Sequence, residues 1–291
     1  MWIGRSIALL SAMTFALNLT LASLCYSFGT TPHTVNCVRS IVFIFAIILL
    51  LRLLKVSLRL TRKQFLLCAA TGCLMCAHVY AMLIAIELIP VGLAVVVMYT
   101  YPLLIAVFTW VTGRETISFL KAIALLLALF GIWLVANSPT APSQIFGLTC
   151  AGIGAITLAS ILVVSERAMT EINPKVVMFY MMAITAVVAS IVTIGGIQLD
   201  WPSTVAGWAA MGGTAVFFVV GTFSLFTAVA LAGPLLTAII DNSAPVWAIL
   251  FGYIILDESL STSQWTGSLV VIGSVLFMQI LFRNATSQCN A

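Results

Sequence analysis

Along this chain, polar residues punctuate long apolar runs instead of alternating with them. A window of about 20 residues is enough to cross about 30 Å of hydrocarbon at a rise of 1.5 Å per residue. It predicts ten helices, over approximately 6–27, 36–54, 65–87, 90–112, 118–136, 145–167, 174–197, 205–231, 233–256 and 262–283. The breaks between them are short and carry Pro, Gly, Asn or Asp, as at Pro32, Asn173, Pro174, Asp200 and Pro202. No stretch is long enough for a separate water-soluble domain.

The apolar pattern also repeats itself. Pro102, Phe108, Glu115 and Ser118 recur 143 residues later as Pro245, Phe251, Glu258 and Ser261. The same offset aligns Gly4, Ala12, Thr14 and Ala16 with Gly147, Ala155, Thr157 and Ala159, so the first apolar run reads as a retained helix and not a cleaved leader. Five helices per repeat is an odd number, which forces the second copy to enter the membrane upside down. The expected fold is therefore all-α and integral to the membrane, with ten transmembrane helices as two inverted five-helix repeats, residues 1–140 and 141–291. Such a duplication places a central site where the repeats meet.

Composition supports the class. With 63% hydrophobic and 7% charged residues and a mean hydropathy of +1.21, a fold of 291 residues has too little polar surface to be water-soluble. The net charge of +4 is carried in short loops, so it reports orientation and not a nucleic-acid partner. Placing the N-terminus inside puts 11 of the 12 Lys and Arg on the cytoplasmic side and leaves Arg39 near the outside. Both termini are expected in the cytoplasm, with the protein in a bacterial inner membrane and the basic loop from Arg52 to Lys63 facing anionic lipid.

The run from Ala81 to Pro90, the pair Tyr101 and Pro102, and the closing Gly113, Arg114 and Glu115 form one motif set. A second copy runs from Ala228 to Gly233, through Ala244 and Pro245, to Leu256, Asp257 and Glu258. Together they resemble the repeat signature of the drug/metabolite transporter superfamily, EamA type. The resemblance covers nearly the whole chain and fits its helix count, its length and the place of Arg39. It implies a ten-helix transporter fold and export of amino acids or other small metabolites, without singling out a substrate. The distantly related small multidrug resistance proteins use a first-helix glutamate for proton-coupled cation export. The first helix here holds no carboxylate, so that chemistry does not carry over.

Each repeat proline sits inside a predicted helix, where it removes a donor and frees the carbonyl four residues earlier, that of Met98 or Asp241. Pro102 and Pro245 are either packing kinks or hinges that border a cavity. Asp241 lies well inside its predicted helix, at a depth of about 10 Å. An intramembrane carboxylate is a functional candidate by default, the alternative being a buried neutral acid that ties down the broken helix. With Asn242 and Ser243 it makes a polar patch able to bind an amino group or carry a proton. His78, midway along the third helix, is either a proton relay and carboxylate donor or a neutral ring bonded to a neighbouring helix.

Asn18 lies on a polar stripe with Ser11 and Thr14 that should face the bundle. Tyr80, Tyr99, Tyr101 and Trp247 are candidate substrate-binding aromatics. Glu115 and Glu258 are expected to meet the exposed N–H groups of the helix that follows each. Arg39 is expected near the outer interface, snorkelling, pairing with Glu87 or making a gate contact. Cys73 and Cys76 read as small core residues, since His78 points about 140° and 160° away from them at 100° per residue and one helix cannot converge the three on a metal.

These readings converge on a secondary carrier of a small polar or zwitterionic metabolite, an exporter that rocks its two five-helix halves about a midplane site. Efflux of drugs or organic cations is the alternative, favoured if the aromatics dominate the cavity. A passive channel or lipid scramblase is a further class. An enzyme finds little support, because the chain has two histidines, no H-E-x-x-H, no G-x-S-x-G and no ATP-binding G-x-x-x-x-G-K-[ST] loop. Expected partners are the small-molecule substrate, the lipid bilayer and protons, for a monomer or homodimer. No cofactor, metal or nucleic acid is expected.

Overall fold

The computed structural model describes residues 2–111, 119–136, 142–232, 237 and 240–289, and every regular element among them is helical. In chain order these are α1 (Trp2–Ser27), α2 (Pro32–Leu53), α3 (Arg62–Leu88), α4 (Val91–Met98), α5 (Tyr101–Val111) and α6 (Phe119–Ala136), then α7 (Pro142–Glu171), α8 (Pro174–Ile194), α9 (Val205–Ala232), α10 (Ala244–Leu256) and α11 (Thr262–Cys289). Seven spans are long and apolar enough to cross a membrane and three shorter apolar helices complete a set of ten. The protein is a multi-pass membrane protein built as two inverted five-helix repeats. Large apolar side chains such as Leu126, Leu129, Phe130 and Trp133 on α6 point outward, as lipid-facing positions require.

Local sequence sets the ends. Thr61 and Gln64 form a reciprocal capping box at the start of α3. Ser261 and Gln264 repeat it for α11, with bonds of 2.9 and 3.2 Å. Thr31 caps α2 and Asn173 caps α8, each followed by a proline that needs no partner for an N–H it lacks.

The repeats interleave. The most extensive packing runs along α1 with α9, α3 with α7 and α6 with α11, and each pair joins one repeat to the other. The same holds for α2 with α8 and α4 with α10. The inverted symmetry is visible residue by residue: a Cβ at Gly4 would fall 2.9 Å from the Ala232 Cβ, and one at Gly147 would fall 2.9 Å from Ile89 and 3.0 Å from Leu88. Both ends of this contact pair are related by 143 residues, Gly4 to Gly147 and Ile89 to Ala232. Helices this close need a residue without a side chain at the crossing.

The structure corrects the reading of the two proline helices as continuous. The chain leaves helical geometry at Tyr99 and Thr100, between α4 and α5, and again at Asn242 and Ser243, just before α10. The two breaks are equivalent positions of the repeats, and in each the proline stands at the second position of the new helix, where its missing N–H is tolerated.

Candidate functional site

The two breaks meet. The Tyr99 hydroxyl donates to Asp241 Oδ2 at 3.0 Å, a bond between positions on opposite sides of the repeat axis. Asp241 Oδ1, both polar atoms of the Asn242 amide and the Ser243 hydroxyl are buried with no hydrogen-bond partner. Orphaned buried polar groups are rare, because each forfeits its hydration without compensation. Here they cluster on three consecutive residues at an interrupted helix. The Tyr101 ring packs edge-on to Tyr99 at 5.8 Å, and Trp247 stacks on Phe251 at 6.0 Å. A cavity of about 10 Å³ lies between Val96, Tyr99, Asn242, Pro245, Val271 and Val275. That is room for one water and no larger solute.

The remaining predicted residues fall in other places. Asn18 is buried on the α1 and α9 seam, where Thr214 donates to its side-chain oxygen at 2.7 Å and to its carbonyl at 2.9 Å. Ser11 reaches the Gly221 carbonyl on the same seam, so the stripe faces the bundle as expected and ties two helices together. His78 bonds through Nδ1 to the Gly154 carbonyl of the neighbouring α7 at 3.0 Å. Tyr80 bonds to His33 at 2.7 Å, and the other ring nitrogen of His33 meets Thr193 at 2.8 Å. His33, the second residue of α2, thereby joins that helix to α3 and α8. Cys73 is exposed and Cys76 buried, and among the described residues no group of His, Cys, Asp and Glu could hold a metal.

Two expectations need correction. Arg39 neither snorkels nor pairs with Glu87: it is 3% exposed and lies over the Phe218 ring of α9, while Glu87 is exposed. Glu258 does not cap the helix that follows it. Ser261 and Gln264 already serve α11, and the Glu258 carboxylate instead accepts the Val91 N–H at the start of α4, with both oxygens at 3.0 Å. The turn that achieves this has Asp257 in the left-handed region at φ 52°, which swings Glu258 over Gly252. A side chain at Gly252 would run into the carboxylate. Burial pushes the Glu258 carboxyl above the usual range, opposed by the Val91 and Gly92 N–H groups. Glu115, the repeat-mate, lies outside the described residues. The residue equivalent to Val91 is Pro234, which has no N–H to offer.

Replacing Glu258 with Ala orphans a partly buried N–H at a helix start. We expect a loss of about 1 to 3 kcal/mol, with Glu258→Gln retaining part of it through its remaining carbonyl oxygen. Thermal unfolding of the detergent-purified variants checks this, and equal stability of all three proteins would count against the cap.

Comparison with known proteins places this geometry. A family model described as the EamA-like transporter family matches residues 2–137 and again 145–280. The Uncharacterized transporter sll1319 of Synechocystis sp. is 24% identical over 219 residues, which is 72% of this chain. The match spans 65% of that protein's length. A solved crystal structure of a protein 20% identical superposes with a TM-score of 0.65 over 95% of this chain and 98% of its own, a likeness of fold.

Proposed function

The chain belongs to the EamA-like transporter family, within the drug/metabolite transporter superfamily, and from that premise we propose a proton-coupled exporter of small amino acids or related zwitterionic metabolites. It works by alternating access from a bacterial inner membrane, with both termini in the cytoplasm. The observation that carries the reading is Asp241, an ionisable group at a helix break, held through one oxygen by Tyr99 while the other has no partner. Such a group can hold a solute ammonium or a proton, and discontinuous helices are where transporters place such sites. The 11 basic residues that share one side support the orientation. Because every repeat helix packs chiefly on the other repeat, the moving bodies combine helices of both repeats and are not the two sequence halves.

Efflux of amphipathic organic cations is a second reading, favoured by the Tyr99 and Tyr101 rings beside the carboxylate and by the stacked Trp247 and Phe251 rings on α10. Counterflow in proteoliposomes separates the two. Saturable exchange of labelled amino acids, stimulated by a pH gradient, is the expected result. Exchange of lipophilic cations alone would move the protein to the second reading, and exchange of neither class would overturn both.

A further inference from the structure

A second buried charge lies away from the helix breaks. Arg39 of α2 is 3% exposed, with its guanidinium 4.3 Å from the centroid of the Phe218 ring. Stacking occupies a flat face of that group and leaves its edge, where the five N–H donors lie, for other partners. Among the described residues, none supplies an acceptor or a carboxylate to that edge. The polar groups in electrostatic range, Tyr26 and His78, are already engaged with the Leu83 carbonyl at 3.1 Å and the Gly154 carbonyl at 3.0 Å.

Asn36 stands three residues earlier on the same face of α2 and is 1% exposed. Its Oδ1 accepts from Ser40 at 3.4 Å, and its Nδ2 has no acceptor within hydrogen-bond distance. The Tyr80 hydroxyl interacts weakly with the Asn36 side chain and is held more tightly by His33 at 2.7 Å. Two buried groups with N–H donors, one of them a permanent cation, thus share a face, and among the described residues no carboxylate is hydrogen-bonded to either. An uncompensated buried charge is destabilising unless something neutralises it. The planar fork of a guanidinium, fixed in orientation by a ring, suits the two oxygens of a carboxylate.

We propose that Arg39 and Asn36 form an anion site that takes the carboxylate of the transported solute, an inference that rests on the zwitterionic reading above and assigns its acidic end. The site belongs to the first repeat alone, because the equivalent residues in the second are Met182 and Phe179. It gives the carrier a fixed preference for acids over their amides, independent of the chemistry at Asp241.

Two measurements test the site separately from the transport reading. The first is thermal unfolding of the purified protein at constant ionic strength with acetate as the probe and acetamide as the uncharged control. Acetate should raise the wild-type midpoint saturably and acetamide should not. Arg39→Gln should abolish the response while unfolding no lower than wild type without acetate, since it removes an uncompensated charge. Arg39→Lys should weaken it, and so should Asn36→Leu; these two carry the test if Arg39→Gln does not fold. The second is inhibition of counterflow by an amino acid and by its primary amide. Wild type should prefer the acid by about tenfold or more, and Arg39→Gln should bring the ratio to about one. No acetate response in wild type, or an acid preference that survives Arg39→Gln, would overturn the site. An acetate response without amino-acid exchange would uphold the site and defeat the zwitterion reading.

Discussion

Gly131→Val is expected to abolish folded protein, the largest structural effect available from one substitution here. Gly131 sits where α6 crosses α11. A Cβ there would fall 2.8 Å from the Gly267 carbonyl oxygen, 2.8 Å from a Val271 methyl and 3.0 Å from the Val271 nitrogen. Two of those atoms are backbone, so no rotamer change relieves the contact and the helices must separate along the crossing. Ala124, Ala128 and Ser274, small and buried at the same seam, show how closely the pair runs. Overpacking of this kind costs about 1 to 3 kcal/mol for a single added group and more when backbone must move, so Gly131→Ala should already lower the unfolding midpoint clearly. Gly273 on α11 is the control, because a Cβ there meets nothing within 4 Å. Gly273→Ala should be neutral or stabilising by up to about 1 kcal/mol, from helix propensity alone. The same substitution with opposite signs at two glycines tests the crossing directly; equal behaviour of the two would refute it.

That seam marks a boundary of what the sequence can say. Apolar runs, short loops and the 143-residue offset made the ten spans and the inverted duplication legible. Periodicity reports which face of a helix is apolar but not which helix covers it, and in lipid nearly every face is apolar. The pairing of α1 with α9 and of α6 with α11 therefore had no signature, and the two sequence halves were read as two bodies when they interleave. Glu258 failed for a related reason: the nearest helix start along the chain is that of α11, while the nearest in space is that of α4. Arg39 was drawn to a carboxylate by charge logic, yet an aromatic face on α9 holds it instead.

The prolines did locate the breaks, because the loss of a donor and the ring clash are local effects that the sequence carries in full. Asp241 was equally legible from depth, as one carboxylate well inside an apolar run. Its partner Tyr99 was singled out only as an aromatic beside a proline, since the hydroxyl bond depends on how the two breaks face each other. Asn18 was placed on the correct face, but only the structure identifies Thr214 as the group that engages it.

Asp241→Asn should reduce solute movement driven by a pH gradient to background while leaving folding intact. The substitution is nearly isosteric and keeps an oxygen able to accept the Tyr99 hydroxyl, so the 3.0 Å bond between the two breaks can survive. What it removes is the ionisable oxygen that has no partner in the native site, and with it the ability to take up and release a proton there. Removing a buried charge that is only partly compensated also carries little stability cost, so yield and unfolding midpoint should match wild type. Tyr99→Phe makes the complementary change: it keeps the titratable group and takes away its one donor, leaving a second carboxylate oxygen unpaired. This variant should therefore be the less stable of the two and should still respond to pH, because the titratable carboxylate remains in place. Proteoliposome uptake measured across imposed pH gradients, with wild type and both variants side by side, decides the matter. A wild-type pH dependence in Asp241→Asn would show that the proton is carried elsewhere, and Asp241 would then stand as a group that only fastens the two breaks together.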